Sequence, residues 1–229
     1  MLKPNQKRSK IAIKLIWICL IVYLFSFFSS FLQYRLLTQI SIGIQIADDI
    51  LEQNDVREQL IMLVTFIVNI ISAVTFIQWF RRAYFNLHSL VPNLTFTEGW
   101  AAGSWFVPMI SFFRPYQIMV ELYNTTIEKL EERKLIENQN FDISFLKLWW
   151  ALWILVFVID LKRLVISRTD MIDSLKQNTI IDMFQCLVYI PLSLLTIKVI
   201  KEYSNFENIL FNDIVIEPAL HIDSENKDL

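Results

Sequence analysis

Glycine and cysteine are scarce in this chain, whose 229 residues include three glycines and two cysteines. So few glycines leave little material for a phosphate-cradling loop, and no Walker, GxSxG or HExxH pattern occurs. Cys19 and Cys186 each lie in an apolar segment without a neighbouring Cys or His, which argues against a disulfide or a metal site. We therefore assign no catalytic residue, no metal and no cofactor, and an enzyme is disfavoured but left open.

The chain also lacks a basic field of the kind that binds nucleic acid, and its formal net charge is −2. Hydrophobic residues make up 55% of it, and the mean hydropathy is +0.43. This composition is typical of a membrane protein. We expect an all-α integral membrane protein with membrane lipid as a partner, and a homo-oligomer or a membrane protein partner stays open.

Four apolar segments predict four transmembrane helices, at residues 11–32, 60–80, 145–160 and 179–199. They define a single membrane domain over 11–200, between a basic N-terminus (1–10) and an acidic tail (201–229). No small-residue cleavage site ends the first segment, so an uncleaved span is favoured over a signal peptide. Loops are predicted at 83–98, at 164–178 and at 33–59, where the first helix extends beyond the lipid and a capping box, Asp55 with Glu58, opens the second.

The second span carries a polar stripe, because Asn69, Ser72, Thr75 and Gln78 recur every three residues. Such a stripe indicates either hydrogen bonding between helices or one wall of a polar cavity. Asp182 lies one turn inside the fourth span, where ion pairing or capping at the membrane interface and proton-coupled transport are the alternative roles of a carboxylate. Asn69, Gln78 and Asp182 are therefore the candidate intramembrane polar residues.

Residues 99–114 (the elbow) combine Trp100, Trp105, Pro108 and Arg114 with an apolar run of about 14 residues, which is shorter than a span needs. Pro108 removes a backbone donor and breaks a helix. We therefore expect a re-entrant or interfacial elbow. An arginine at this depth needs a partner or a function, and lipid phosphate, an anionic substrate and Glu121 are the alternatives.

An amphipathic helix is predicted for residues 115–137, with Pro115 as its first residue. Its expected apolar face consists of Tyr116, Met119, Val120, Tyr123, Ile127 and Leu130. Gln117 and Glu121 face away from it. The N-terminus, residues 81–147 and the tail hold most of the Lys and Arg residues, so the positive-inside rule places both termini in the cytoplasm.

Several short patterns resemble a bacterial membrane family called domain of unknown function 4328. They are FIQWFRRAYFNL at 76–87, GW at 99–100, WFVP at 105–108, RPYQ at 114–117 with Glu121, and LWWALW at 148–153. The resemblance covers roughly residues 60–200, with Ser111 and Phe113 standing where the family pattern has Asn and Trp. It implies several membrane helices in a bacterial inner membrane, and it implies no activity.

Three functions follow as hypotheses. The first is a non-enzymatic scaffold or regulator that engages lipid or a partner through the cytoplasmic elbow. The second is a small transporter or channel subunit that uses the polar stripe and Asp182, and that would need to oligomerise. The third is a lipid-modifying membrane enzyme centred on Arg114 and Glu121.

Overall fold

The computed structural model describes residues 2–137, 141–166 and 172–216. These residues are mostly helical and contain no strand, so the all-α class is confirmed. A 3-10 turn, Ile110–Phe112, precedes α4, and a π-helical turn, Asn212–Ile216, follows α6. The α-helices are α1 (Gln6–Ser41), α2 (Asp48–Leu90), α3 (Trp100–Gly103), α4 (Arg114–Glu132), α5 (Phe145–Ile166) and α6 (Ile172–Phe211).

Three of these helices, α1, α2 and α6, are long and apolar enough to cross a membrane. They contain the predicted spans 11–32, 60–80 and 179–199. The fourth predicted span, 145–160, lies within α5, which also carries Lys147, Asp160, Lys162 and Arg163. That α5 crosses the membrane stays a prediction, because these four charged residues weaken the partition of the helix into lipid.

Several helix ends differ from the sequence prediction. The loop after α1 is short, since α2 begins at Asp48, so Asp55 and Glu58 lie inside α2 rather than at its start. At its other end α2 continues to Leu90, through half of the predicted loop 83–98, because Ala83, Tyr84 and Leu87 are buried in a helical pattern. The helix α6 takes up residues 172–178 and 201–211 of the predicted loop and tail. The rest of those segments extends into residues outside the described ranges.

The chain divides into two compact units, which are described separately. The elbow unit comprises the described parts of residues 1–13, 73–147 and 197–229. Its core is aromatic, with Trp79, Tyr84, Tyr123 and Tyr203 buried. The Trp79 indole donates to Ser204 Oγ at 3.2 Å and the Tyr123 hydroxyl donates to the Val199 carbonyl at 2.7 Å, so the polar ends of both rings are satisfied.

A buried carboxylate, Glu207, ties three segments of the elbow unit together. Its two oxygens accept from the side-chain amides of Asn86 at 2.7 Å and Asn5 at 2.9 Å. The Asn86 amide also pairs with the backbone N–H and carbonyl of Lys3. Buried polar groups are tolerated when hydrogen-bonded, and this network fixes the N-terminal residues against α2 and α6.

The cavity unit comprises the described parts of residues 14–72 and 148–196. Its surface exposes large apolar side chains, among them Phe25, Phe28, Leu63, Phe66 and Phe184. Such a surface is typical of helices that face lipid. Polar side chains turn inward, and the indole of Trp149 donates to Thr196 Oγ1 at 3.0 Å.

Candidate functional site

The elbow is a broken chain of short turns between α2 and α4. After α3 the backbone turns repeatedly, and Met109 adopts a left-handed conformation with φ 65°, which is uncommon for a side chain of its size. Pro108 is exposed in this turn. Phe106 is 74% exposed and Met109 is 76% exposed, and Val107, Phe112 and Phe113 also face outward. These five side chains form the apolar tip of the elbow.

Arg114 lies at the base of the elbow among aromatic rings. Its guanidinium carbon is 4.4 Å from the ring centroid of Phe96, 5.6 Å from that of Trp100 and 5.8 Å from that of Phe113. Its Nε atom is buried without a hydrogen-bond acceptor. Ring faces carry negative potential, so they stabilise the cation where water is excluded. This aromatic cage connects the loop before the elbow to the start of α4.

Glu121 makes different contacts and is not paired with Arg114. Its Oε2 accepts from the Tyr84 hydroxyl at 2.6 Å, and its Oε1 accepts from the backbone N–H of Thr95 at 2.7 Å. The Tyr84 hydroxyl is also 3.1 Å from the Phe96 carbonyl. Glu121 therefore anchors the loop at 95–96, and so positions the ring on which Arg114 stacks.

The remaining predicted residues lie in the elbow and in the first turn of α4. Trp105 lies edge-on to Phe76, with 5.6 Å between ring centroids. Pro115 is buried in the first turn of α4, whereas Gln117 is exposed and Tyr116 is half-buried. The structure thus brings Trp100 and Arg114 into contact. Glu121 lies beside Tyr84 and Thr95 instead.

A second candidate site is a cavity of about 360 Å³ in the cavity unit. Residues of α1, α2, α5 and α6 line it. Asn69 and Asp182, both singled out from the sequence, line this cavity together. Its other polar lining residues are Tyr23, Ser26, Ser30, Glu58, Thr65, Asp160, Gln185 and Tyr189.

One wall of the cavity is a pair of stacked tyrosines. The ring centroids of Tyr23 and Tyr189 are 3.9 Å apart, and the angle between the ring planes is 6°, so the rings are stacked. The Tyr23 hydroxyl donates to Asn69 Oδ1 at 2.5 Å, and Gln185 Nε2 donates to Asp160 Oδ1 at 2.6 Å. These contacts hold the lining side chains in fixed positions, as a preformed ligand pocket requires.

Gln78 does not belong to this site. It lies in the elbow unit, its side chain is exposed, and its backbone carbonyl accepts from Arg8 Nη1 at 2.9 Å. The polar stripe of α2 is therefore divided between the two units. Asn69 faces the cavity, and Gln78 is at the surface of the other unit.

Several residues of both sites were not singled out from the sequence. For the cavity a signal was present, because Tyr23, Ser26 and Ser30 on α1 and Asp182, Gln185 and Tyr189 on α6 recur at helical spacing within apolar segments. For the elbow no pattern connects Phe96 or Tyr84 with Arg114 or Glu121, since those contacts depend on how the loop returns to α2.

The described residues define a class of protein: it is helical, three of its described helices are long and apolar enough to cross a membrane, and a polar cavity lies among apolar helices. It belongs to the family described as Domain of unknown function (DUF4328), which matches residues 43–205. The resemblance noted in the sequence is thereby confirmed. Searches of curated proteins and of solved structures found no match.

Proposed function

We propose that this protein is a non-enzymatic scaffold or regulator of a bacterial inner membrane, which engages lipid through its elbow. It crosses the membrane four times, with both termini in the cytoplasm. The observation that carries the proposal is the apolar tip of the elbow, because Phe106 and Met109 are about three-quarters exposed. Apolar surface of this kind is buried against a membrane or a partner.

Lipid is favoured as the occupant for two reasons. The chain already has helices suited to a membrane, so a lipid surface is always near. The elbow unit also holds basic residues that suit anionic headgroups, namely Lys3, Lys7, Arg8, Lys10, Arg81 and Arg82. Arg114 keeps the base of the elbow rigid, so that the tip is presented in one orientation.

The test is a depth measurement on the purified chain in lipid nanodiscs. A single cysteine replaces Met109 at the tip, and the matched control replaces Asn124, which is exposed on α4. Cys19 and Cys186 are buried, so the parent protein serves as the unlabelled background. We expect a fluorophore at 109 to be quenched by doxyl-labelled lipid, and one at 124 by aqueous iodide. Quenching of position 109 by iodide alone would exclude insertion into lipid.

A small transporter or channel subunit is the second candidate. It is favoured by the cavity, which unites Asn69 with Asp182 inside a unit whose surface is apolar. Its test is flux of rubidium, chloride and labelled amines into proteoliposomes. We expect Asn69→Ala and Asp182→Asn to lower the flux of one of these solutes, and Gln78→Ala, outside the cavity, to leave it unchanged. Equal flux in all four proteins would contradict a transport role for the cavity.

The lipid-modifying enzyme hypothesis gains no support from this geometry. Both carboxylate oxygens of Glu121 are engaged, by Tyr84 and by the backbone of Thr95. Arg114 is engaged by rings. Neither side chain is presented to a reacting group.

A further inference from the structure

We propose that the elbow unit binds the phosphate group of an anionic phospholipid at a cluster of four cationic side chains, Lys3, Arg8, Arg81 and Arg82 (the basic cluster). All four belong to the elbow unit. The inference rests on the proposed function, in which this unit engages lipid, and it names the lipid class and the residues that bind its headgroup. It uses a surface other than the apolar tip, so each surface can be tested without the other.

A hydrogen bond between α1 and α2 brings three of these arginines together. Arg8 Nη1 donates to the backbone carbonyl of Gln78 at 2.9 Å. Gln78 precedes Arg81 and Arg82 by three and four residues in α2, and residues with this spacing share one face of a helix. The contact therefore places Arg8 at the face that carries the other two arginines, and the positive charges of both act on it.

Lys3 is held near the same part of α2 by its main chain. Its N–H donates to Asn86 Oδ1 at 2.9 Å, and its carbonyl accepts from Asn86 Nδ2 at 2.8 Å. Its ammonium nitrogen lies 4.5 Å from the ring centroid of Phe85, and the guanidinium carbon of Arg82 lies 5.8 Å from the same centroid. A single ring therefore adjoins both cations, and this contact adds Lys3 to the three arginines.

Two carboxylates balance part of the charge of the basic cluster. Arg81 pairs with Glu98 at 3.5 Å, and their side chains are 61% and 38% exposed, so this pair is weak. Glu207 is buried, and Arg82 stabilises its charge. Four cations against these two carboxylates leave an excess of positive charge at this place.

Arg8 and Arg82 are the centre of the proposed site, because both are half-buried rather than exposed. Partly buried charges are screened less by water and salt than exposed ones, so the repulsion between them persists. Among the described residues neither guanidinium forms an ion pair. Arg8 uses Nη1 for a neutral carbonyl, which leaves its other N–H groups for an anion. A guanidinium binds phosphate through two parallel hydrogen bonds, and a phosphate between two arginines relieves their repulsion.

The place of the cluster along the chain favours a lipid headgroup over a soluble anion. Arg8 lies just before the predicted span 11–32, and Arg81 and Arg82 directly follow the predicted span 60–80. Both spans lie in helices that are long and apolar enough to cross a membrane. The cluster is thus expected at a membrane boundary, which is the depth of lipid phosphates and the place where Lys and Arg attract anionic lipid.

The experiment uses the full chain in a non-ionic detergent, and phosphatidylglycerol with a fluorescent acyl chain as the probe. The unlabelled competitors are phosphatidylglycerol, phosphatidylcholine with the same acyl chains, and inorganic phosphate. We expect phosphatidylglycerol to displace the probe at a concentration about tenfold lower than phosphatidylcholine, whose choline neutralises the phosphate. Equal displacement by the two lipids would overturn the proposal. Inorganic phosphate that competes as well as phosphatidylglycerol would show a site for the free anion, and would overturn the assignment to lipid.

Variants locate the site. Arg8→Gln and Arg82→Gln are each expected to weaken binding of phosphatidylglycerol about fivefold, because each removes a charge next to the phosphate. The matched control is Lys201→Gln, an exposed cation of the same unit that also follows a predicted span, 179–199. There the affinity should stay within about twofold. Unchanged affinity in the Arg8→Gln, Arg82→Gln double variant would contradict the proposed site.

A further measurement needs the wild-type protein alone. A ligand that binds only the native state raises the midpoint of thermal unfolding. We expect phosphatidylglycerol to raise this midpoint more than phosphatidylcholine does at equal concentration, and equal shifts would exclude a preference for anionic lipid.

The proposed function and this site fail separately. Quenching of position 109 by doxyl-labelled lipid, together with equal affinity for the two phospholipids, keeps the proposed function and overturns the basic cluster as a binding site. Preference for phosphatidylglycerol without quenching at position 109 keeps the site and overturns insertion of the apolar tip.

Discussion

At the scale of single residues, Arg114 depends on rings rather than on a carboxylate. A planar guanidinium stacks on ring faces, whereas a lysine ammonium keeps the charge and loses the flat contact. We expect Arg114→Lys to lower the free energy of unfolding by about 1 kcal/mol and Arg114→Ala by about 2 kcal/mol. Chemical unfolding in detergent, followed by tryptophan fluorescence, measures both.

The matched control for this series is Arg81→Lys. Arg81 lies in the same unit, but its side chain is 61% exposed and its ion pair with Glu98 spans 3.5 Å. Exposed pairs of this kind contribute little, so we expect almost no change. If Arg114→Lys is as stable as the wild-type protein, charge alone holds the elbow and the stacking argument is wrong.

Glu121 gives a second prediction at this scale. The variant Glu121→Gln keeps one acceptor oxygen but replaces the other by an amide that cannot accept from Tyr84 or Thr95. We expect a loss of about 1–3 kcal/mol in the free energy of unfolding. Glu128→Gln, an exposed change on the same helix, is the control. Equal stability of the two variants would show that the Tyr84 and Thr95 contacts contribute nothing.

The sequence could single out Arg114 and Glu121, but not what they touch. Arginine and glutamate beside prolines and tryptophans are unusual in an apolar segment, and this identifies them as important. Their partners, Phe96 and Tyr84, come from the loop and from α2. The spacing of seven residues leaves a direct contact between them open, whereas the structure gives each side chain its own partners.

At the scale of elements, α4 buries a face shifted from the predicted one. Met119, Tyr123 and Leu130 are buried as expected, but Ile118, Leu122 and Thr126 are buried as well. Tyr116, Val120 and Ile127 lie at the margin and are half-buried. The amphipathic pattern predicted the helix and, approximately, which of its faces is buried. It could not fix the rotation, because Thr126 reads as polar and only the contact with Tyr203 explains its burial.

Tyr123 on α4 leads to a prediction about pH. Burial, together with the nearby charge of Glu202, raises the pKa of Tyr123 well above its usual value near 10. The neutral phenol is favoured in the folded state, so its contribution to stability is complete below about pH 10 and is lost as pH rises above that value. We expect Tyr123→Phe to be less stable than the wild-type protein by about 1 kcal/mol at neutral pH.

Unfolding curves at about pH 8 and about pH 11 test this sign. The difference in free energy of unfolding between the wild-type protein and Tyr123→Phe should shrink at the higher pH. At that pH the phenol of Tyr123 ionises in the unfolded wild-type chain, which stabilises the unfolded state, and the Phe variant has no such group. A gap that widens with pH would contradict the burial of a neutral phenol.

The ends of α2 show why helix boundaries were harder to predict than helices. Arg81 and Arg82 suit a helix end at a membrane surface, and this favoured a stop there. The helix continues because Ala83, Tyr84 and Leu87 have a core to pack against. That core is built by α4 and α6, which lie far away in sequence.

At the scale of the whole molecule, the apolar segments were sufficient to predict an all-α membrane protein. They could not predict the cavity, because Asp160 and Asp182 become neighbours of Asn69 only when separate helices pack. The predicted sidedness is testable by labelling single cysteines in intact membranes. We expect Asn124→Cys to react from the cytoplasmic side and Gln45→Cys, in the loop after α1, from the opposite side. Reaction of both from one side would contradict the proposed topology.

The network around Glu207 has a consequence for biosynthesis. Asn5 leaves the ribosome long before residue 207 is made, yet its amide donates to that carboxylate. During most of translation the N-terminal segment therefore has no native acceptor for this hydrogen bond and cannot yet dock through it. The elbow unit can close only after the polypeptide has passed residue 207, so its assembly is completed late and depends on α6.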